Sequence, residues 1–256
     1  MKLDGTFIIR NQWDINSLSK ITEITGDLII TAQGMTDVTL PYLKTVGGNI
    51  TIEDNRSVSN VVLIGVEYIG GSFKVRGNYK LNLVYMPRLN TLKGGFKSNN
   101  NLALYYIDLP KLNTIGTYFF VRDNHALTDI NAPKLRSIGH GCYICNNDKM
   151  KELNLPHLEI VGTHKGRGYP DSKSLKICDS TYLESVLLPK LSKVRGDFEV
   201  KGHPYLKILR VPRLTHVGCR LTIAHNCRLS LKEVGAVIKG TTLEETSMTI
   251  EHNSLH

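Results

Sequence analysis

The sequence predicts an all-β fold, a right-handed single-stranded β-helix solenoid, and three observations carry that prediction. A proline landmark recurs at Pro41, Pro87, Pro110, Pro133, Pro156, Pro189 and Pro212, with Ile64 in its place once, and the interval is 23 residues throughout except for 33 between Pro156 and Pro189. Apolar residues spaced by one flank each landmark, the period of a strand with one buried face. Glycine and asparagine mark two corners of the copies. A fixed period in the twenties signals stacked repeats rather than separate compact domains. The chain is therefore read as one repeat domain: an N-terminal cap coil over 1–25, regular coils over 26–226 with an insertion at 163–173, and a C-terminal cap coil over 227–256.

In chain order, Phe7 and Ile9 open the first coil, and Trp13, Ile15, Leu18, Ile21 and Ile24 complete an irregular cap. From Gly26 the repeat is regular. The strand after each glycine turn carries Leu28/Ile30, Ile50/Ile52, Phe73/Val75, Phe96/Ser98, Phe119/Val121, Cys142/Ile144, Leu175/Ile177, Phe198/Val200 and Leu221/Ile223, which alternation turns inward. Val84/Met86, Ile107/Leu109, Leu153/Leu155 and Leu209/Val211 do the same before the landmark, and Leu89/Leu92, Leu112/Ile115, Leu135/Ile138 and Leu214/Val217 after it. Three short apolar strands per repeat describe a triangular coil.

The turn glycines, Gly47-Gly48, Gly70-Gly71, Gly94-Gly95, Gly116, Gly139, Gly162, Gly196 and Gly218, are expected to supply a positive φ. At the next corner Asn55, Asn78, Asn101, Asn124, Asn147 and Asn226, with Ser180 and His203 as substitutes, are expected to bond the backbone of the neighbouring coil. After Asn226 the rhythm stretches to 27 residues, and Leu231, Val234, Val237 and Ile238 have the spacing of a short helix. A capped end is what a solenoid needs.

The phrases Thr25-Gly-Asp-Leu-Ile-Ile, Leu40-Pro-Tyr-Leu-Lys-Thr-Val-Gly-Gly-Asn-Ile-Thr-Ile and Leu188-Pro-Lys-Leu-Ser-Lys-Val-Arg-Gly-Asp-Phe-Glu-Val resemble the receptor L-domain family, relatives of leucine-rich repeats. The likeness runs over residues 26–253. That family includes the ligand-binding L domains of growth-factor receptors and a set of fungal cell-wall proteins. The resemblance implies the family's single-stranded right-handed β-helix. The shared positions are framework, so they imply no particular ligand.

Function then rests on what points outward. On the strand after the glycine turn, Lys74, Lys97, Phe120, Tyr143 and Lys176 form a centre line, with Arg76, Arg122 and Lys201 on one side and Tyr118 and Arg220 on the other. Aromatic residues among cations on a flat sheet suit a protein or glycan partner. The insertion adds His164, Lys165, Arg167 and Tyr169, and loops leaving a rigid scaffold often carry binding residues. A competing apolar group, Leu83, Tyr85, Tyr106, Leu187 and Ile208, precedes the landmark. The residue after the landmark reads Arg88, Lys111, Lys134, His157, Lys190 and Arg213, a basic ridge that, with a net charge of +9, offers a polyanion site as the alternative.

Catalytic and metal chemistry is weaker. No nucleophile elbow or phosphate loop is present, and the outward acids Glu53 and Glu199 stand far apart, so a non-enzymatic scaffold without a cofactor is expected ahead of a glycan-cleaving enzyme. The corner oxygens of Asp54, Asn100, Asp123, Asn146 and Asp179 suit calcium but are equally plain turn chemistry. Cys145 and Cys178 hold equivalent places in adjacent coils, where a bond or a shared metal competes with the expected pair of unpaired thiols. Five cysteines, an odd count, favour a reducing compartment over a disulfide framework. No run approaches the ~18 apolar residues of a membrane helix, and membrane insertion is not expected.

Overall fold

The computed structural model describes residues 1–32, 34–163, 173–239, 241–243 and 247–253. Its strands are two to four residues long and pair in parallel with the equivalent strand one coil away. The first sheet stacks eleven strands from Lys2–Leu3 to Thr242–Leu243, and the second stacks eleven from Phe7–Ile9 through Phe119–Arg122 to Met248–Glu251. The third face is divided into five strands, Asp37–Thr39 to Asp129–Asn131, and three, Glu152–Asn154, Ser185–Leu187 and Ile208–Arg210. This is the parallel β-solenoid that the period predicts. Among the described residues no helix is long and apolar enough to cross a membrane.

Register converts the sequence period into packing. Phe73 pairs with Phe96 and Phe96 with Phe119, so the three fully buried rings sit one above another with centroids 5.2 and 5.4 Å apart. Truncating one such ring to alanine costs about 3–5 kcal/mol. Each four-residue strand of the second sheet except the last, Met248–Glu251, buries its first and third side chains and presents its second outward, which positions the candidate site.

The asparagine corner works as a continuous ladder. Asn55, Asn78, Asn101, Asn124, Asn147 and Asn226 are fully buried. In each asparagine rung after Asn55, whose own Oδ1 is buried without a partner, an Oδ1 accepts the backbone N–H of the preceding coil, as Asn124 does from Asn101 at 3.2 Å. The Nδ2 donates to a carbonyl of the coil before, as Asn124 does to Ser98 at 3.2 Å. Ser180 and His203 keep the ladder running: Asn147 N–H donates to Ser180 Oγ, and Ser180 N–H donates to His203 Nδ1. His203 Nδ1 is then an acceptor and Nε2–H the donor, 3.1 Å from the Ile177 carbonyl, so a neutral imidazole reproduces both functions of the amide. Burial lowers the His203 pKa and holds the ring neutral.

The turn glycines are small for a reason other than φ. Apart from Gly162, none of those expected to have a positive φ does so. A Cβ at Gly70 would instead collide with the Gly47 carbonyl oxygen of the coil before. Close stacking, not left-handed backbone, excludes a side chain there. The left-handed position is the residue just before each asparagine rung: Asp54, Asn100, Asp123, Asn146, Asp179, His225 and His252 have φ of 51–57°, and Gly77 and Gly202 share the row. The oxygens considered for calcium belong to this turn, and Asn146 Nδ2 donates to Asp123 Oδ1 at 2.8 Å.

Both ends carry a helix. The first, α1 (Gln12–Ser17), starts at a capping box between Asn11 and Asp14 that the irregular-cap reading overlooks. Leu18, Ile21 and Ile24 are buried as expected, but Trp13 is 75% exposed and does not join the core. The second, α2 (Leu231–Ile238), follows the predicted spacing, with the Ser230 hydroxyl accepting the Glu233 N–H and Val234 and Val237 buried.

Candidate functional site

The register places the predicted surface residues as their spacing implies. Thr51, Lys74, Lys97, Phe120, Tyr143, Lys176, Glu199 and Thr222 form the outer centre line of the second sheet. The parallel row beside it reads Glu53, Arg76, Asn99, Arg122, Cys145, Cys178 and Lys201. Phe120 and Tyr143 are half-buried because the rings stack on one another: Tyr118 on Phe120 at 4.7 Å and Phe120 on Tyr143 at 4.6 Å, with interplanar angles of 20° and 15°. Lys176 Nζ lies 5.6 Å from the Tyr143 ring centre, within cation–π range. Stacking covers the faces of Phe120, so the surface offers ring edges rather than an open aromatic plane.

What makes room for this stack is a break in a second polar ladder. Along the side of the sheet where each strand begins, Asp27 Oδ1 accepts the Asn49 N–H at 2.6 Å, Asn49 Oδ1 accepts that of Ser72 at 2.8 Å, and Ser72 Oγ accepts that of Gly95 at 3.0 Å. Towards the C-terminus the pattern resumes, with Ser174 Oγ accepting from Asp197 and Asp197 Oδ1 from Arg220. Between these stretches the row reads Gly95, Tyr118 and Gly141, where the glycines carry no acceptor and the tyrosine carries a ring. The Tyr118 ring occupies the space a Gly95 side chain would need, since a Cβ there would lie 2.5 Å from it. Next to the break, Thr117 Oγ1 is buried without a hydrogen-bond partner.

Beside the stack is a cavity of about 220 Å³ lined by Glu53, Lys74, Arg76, Lys97, Asn99 and Tyr118. Asn99, which the sequence reading overlooks, stands between Arg76 and Arg122 in register, and its Oδ1 is buried without a partner. Among the described residues no ion pair engages Lys74, Arg76, Lys97 or Arg122. Four cations next to an aromatic ridge can hold carboxylate or similar anionic groups. Lys201, in contrast, is paired with Glu199 at 3.6 Å, and Arg220 lies 3.9 Å from Asp197.

The expectation of unpaired thiols is corrected. Cys145 and Cys178 are joined by a disulfide, their Cα atoms 4.5 Å apart on neighbouring strands. Parallel register brings equivalent residues within bonding range, and the separation is 33 residues because the insertion lies between them. The odd count therefore says nothing for a reducing compartment: one pair forms, and Cys142, Cys219 and Cys227 lie outside it. Cys142 faces the core as predicted, and burial raises its thiol pKa. His164, Lys165, Arg167 and Tyr169 lie outside the described residues. The described chain resumes after them at Lys173, two residues before the strand Leu175–Cys178, one coil from Tyr143.

The other surfaces are less concentrated. Arg88, Lys111, Lys134 and Arg213 are exposed and His157 and Lys190 half-buried; Lys111, Lys134, His157, Asn90, Asn113 and Arg136 surround a cavity of about 440 Å³. His157 Nδ1 is 2.7 Å from the Pro133 carbonyl, and Arg136 is paired with Glu159 at 3.1 Å. The apolar group is split, with Leu83, Tyr85 and Tyr106 on the five-stranded part of the third face and Leu187 and Ile208 on the three-stranded part. Between them outward acids are less sparse than the sequence suggests: burial, then Asp108 and Glu152, raise the Asp129 pKa. No family model matches this chain, and no curated protein matches it in sequence.

Proposed function

We propose that the chain is a non-catalytic binding scaffold whose second sheet docks a protein partner presenting carboxylates. The observation that supports this reading is the replacement of a polar ladder by Gly95, Tyr118 and Gly141 at the place where the rings and the unpaired cations meet. A framework row that would stabilise the stack is interrupted to seat aromatic residues. Ring edges with tyrosine hydroxyls suit a protein surface, whereas a sugar ring stacks on an open aromatic face. Lys74, Arg76, Lys97 and Arg122 complement an acidic segment and favour its encounter. The insertion, with His164, Lys165, Arg167 and Tyr169, belongs to this proposal because Lys173, where the described chain resumes after it, lies two residues before the strand Leu175–Cys178. The receptor L-domain relationship belongs to it as well.

The test is binding of the purified chain to arrays of acidic peptides, glycans and nucleic acids at low and high salt. Acid-rich peptides carrying an apolar residue are expected to bind and to persist at high salt, and Phe120→Ala/Tyr143→Ala weakens them about thirtyfold or more, as loss of a central aromatic anchor does. Glycan binding alone would overturn the choice of partner. The cavity among Lys111, Lys134 and His157 supports a second reading, a polyanion on the basic ridge. Binding that falls steeply with salt, is unaffected by the aromatic variant and is lost in Lys111→Ala/Lys134→Ala would favour it.

A further inference from the structure

At the C-terminal end of the same sheet, away from the aromatic stack, we propose that His225, Glu251 and His252 form a binding site for a divalent transition-metal ion of the zinc class. The ligand atoms of the three side chains all lie within 4.8 Å of one another, and all three residues are exposed. The two imidazoles stack with centroids 4.7 Å apart and 14° between their planes, and His252 Nδ1 is 4.0 Å from a Glu251 carboxylate oxygen. Two imidazoles and a carboxylate are a zinc donor set, with the remaining coordination positions left to water. Donors around a tetrahedral ion at about 2.0–2.1 Å stand about 3.3 Å from each other, so modest side-chain rotation closes the set.

The backbone beneath the donors is already ordered. Both histidines hold the left-handed turn position, φ 56° and 52°, that aspartate, asparagine or glycine holds in the earlier coils. Each directly precedes a rung of the asparagine ladder, and Asn226 N–H donates to Asn253 Oδ1 at 3.2 Å. The His225 N–H donates to the Glu251 carbonyl at 3.0 Å, and Ala224 pairs with Glu251 in register. The small Ala224 side chain leaves space beside the glutamate. His225 and Glu251 border a concavity of about 370 Å³ whose cations are Lys176, beside the Tyr143 ring, and Lys201 and Arg220, which lie against Glu199 and Asp197. An ion here would bridge the last two coils and brace the C-terminal cap.

The test is calorimetric titration of the full chain with zinc chloride, alongside magnesium chloride and the variant His225→Asn/His252→Asn. Asparagine already occupies this turn position at Asn100 and Asn146, so the variant preserves the backbone. The expected result is one zinc ion per chain, no heat with magnesium, and affinity about tenfold or more weaker in the variant, a difference of about 1.4 kcal/mol or more. As a measurement independent of the variant, the imidazole NMR signals of His225 and His252 shift on zinc addition to the wild type. The proposal is overturned by absence of zinc binding, by equal binding in the variant, or by shifts confined to other histidines.

Discussion

Two rows of polar side chains border the second sheet, and they have different histories along the stack. The asparagine ladder at one corner runs from Asn55 to Asn253, and where asparagine is missing Ser180 and His203 accept the preceding coil's amide in its place. The row at the opposite border, Asp27 to Arg220, also has side chains that accept a neighbouring coil's amide, here that of the next coil rather than the preceding one. It is abandoned at Gly95, Tyr118 and Gly141. Burial explains the contrast. An amide at the asparagine corner has no water to turn to, whereas in the other row Asp27, Asn49, Ser72 and Tyr118 are half-buried and can lose a bond at modest cost, although Gly95, Gly141, Ser174 and Asp197 are buried. Surface chemistry can therefore develop at the second border and not at the first.

The largest loss of stability is expected from Asn124→Ala in the asparagine ladder. It leaves the Asn101 N–H and the Ser98 carbonyl buried without their partner, and a loss of about 3–5 kcal/mol is expected from those unsatisfied groups. Urea unfolding measures it, and a loss below that of an ordinary surface substitution would mean the ladder is not what holds the corner. Next in size is Cys145→Ser/Cys178→Ser, which removes the link across the 33-residue separation and is expected to cost about 2–4 kcal/mol. Thermal unfolding under oxidising and reducing conditions reads it, and reduction should bring the wild type to the variant.

Tyr118→Ser acts on the interrupted row. It supplies the broken row with the acceptor it lacks, so stability is expected to stay level or rise by about 1 kcal/mol while peptide binding falls. Loss of both stability and binding would make the ring a framework residue. The smallest effect is expected from His203→Asn, which returns the commonest rung to the ladder. Because the folded-state pKa of His203 lies below its ordinary value of 6.5, the unfolded chain binds more protons as pH falls past that value. The stability contributed by the neutral ring is complete above pH 6.5 and is lost as pH falls towards the folded-state pKa. Unfolding midpoints at neutral pH and at about pH 5 should converge in the asparagine variant and separate in the wild type.

The period, the three-sided coil, the inward residues, the ladder and the membership of the outer rows are all legible in the spacing of residues along the chain. A solenoid turns sequence spacing into spatial adjacency, so Lys97, Phe120 and Tyr143 are neighbours because they are 23 residues apart. Tertiary structure decided what neighbours do to one another. It closed the Cys145–Cys178 bond, covered the faces of Phe120, and set the positive φ one residue before the asparagines instead of at the turn glycines. It also brought His225 and His252 together across the irregular last coil, where no constant period announces them. Spacing names which side chains meet. Which way they turn, and whether they bond, depends on the volume and hydrogen-bonding needs of the coils above and below, and those act only once the stack has formed.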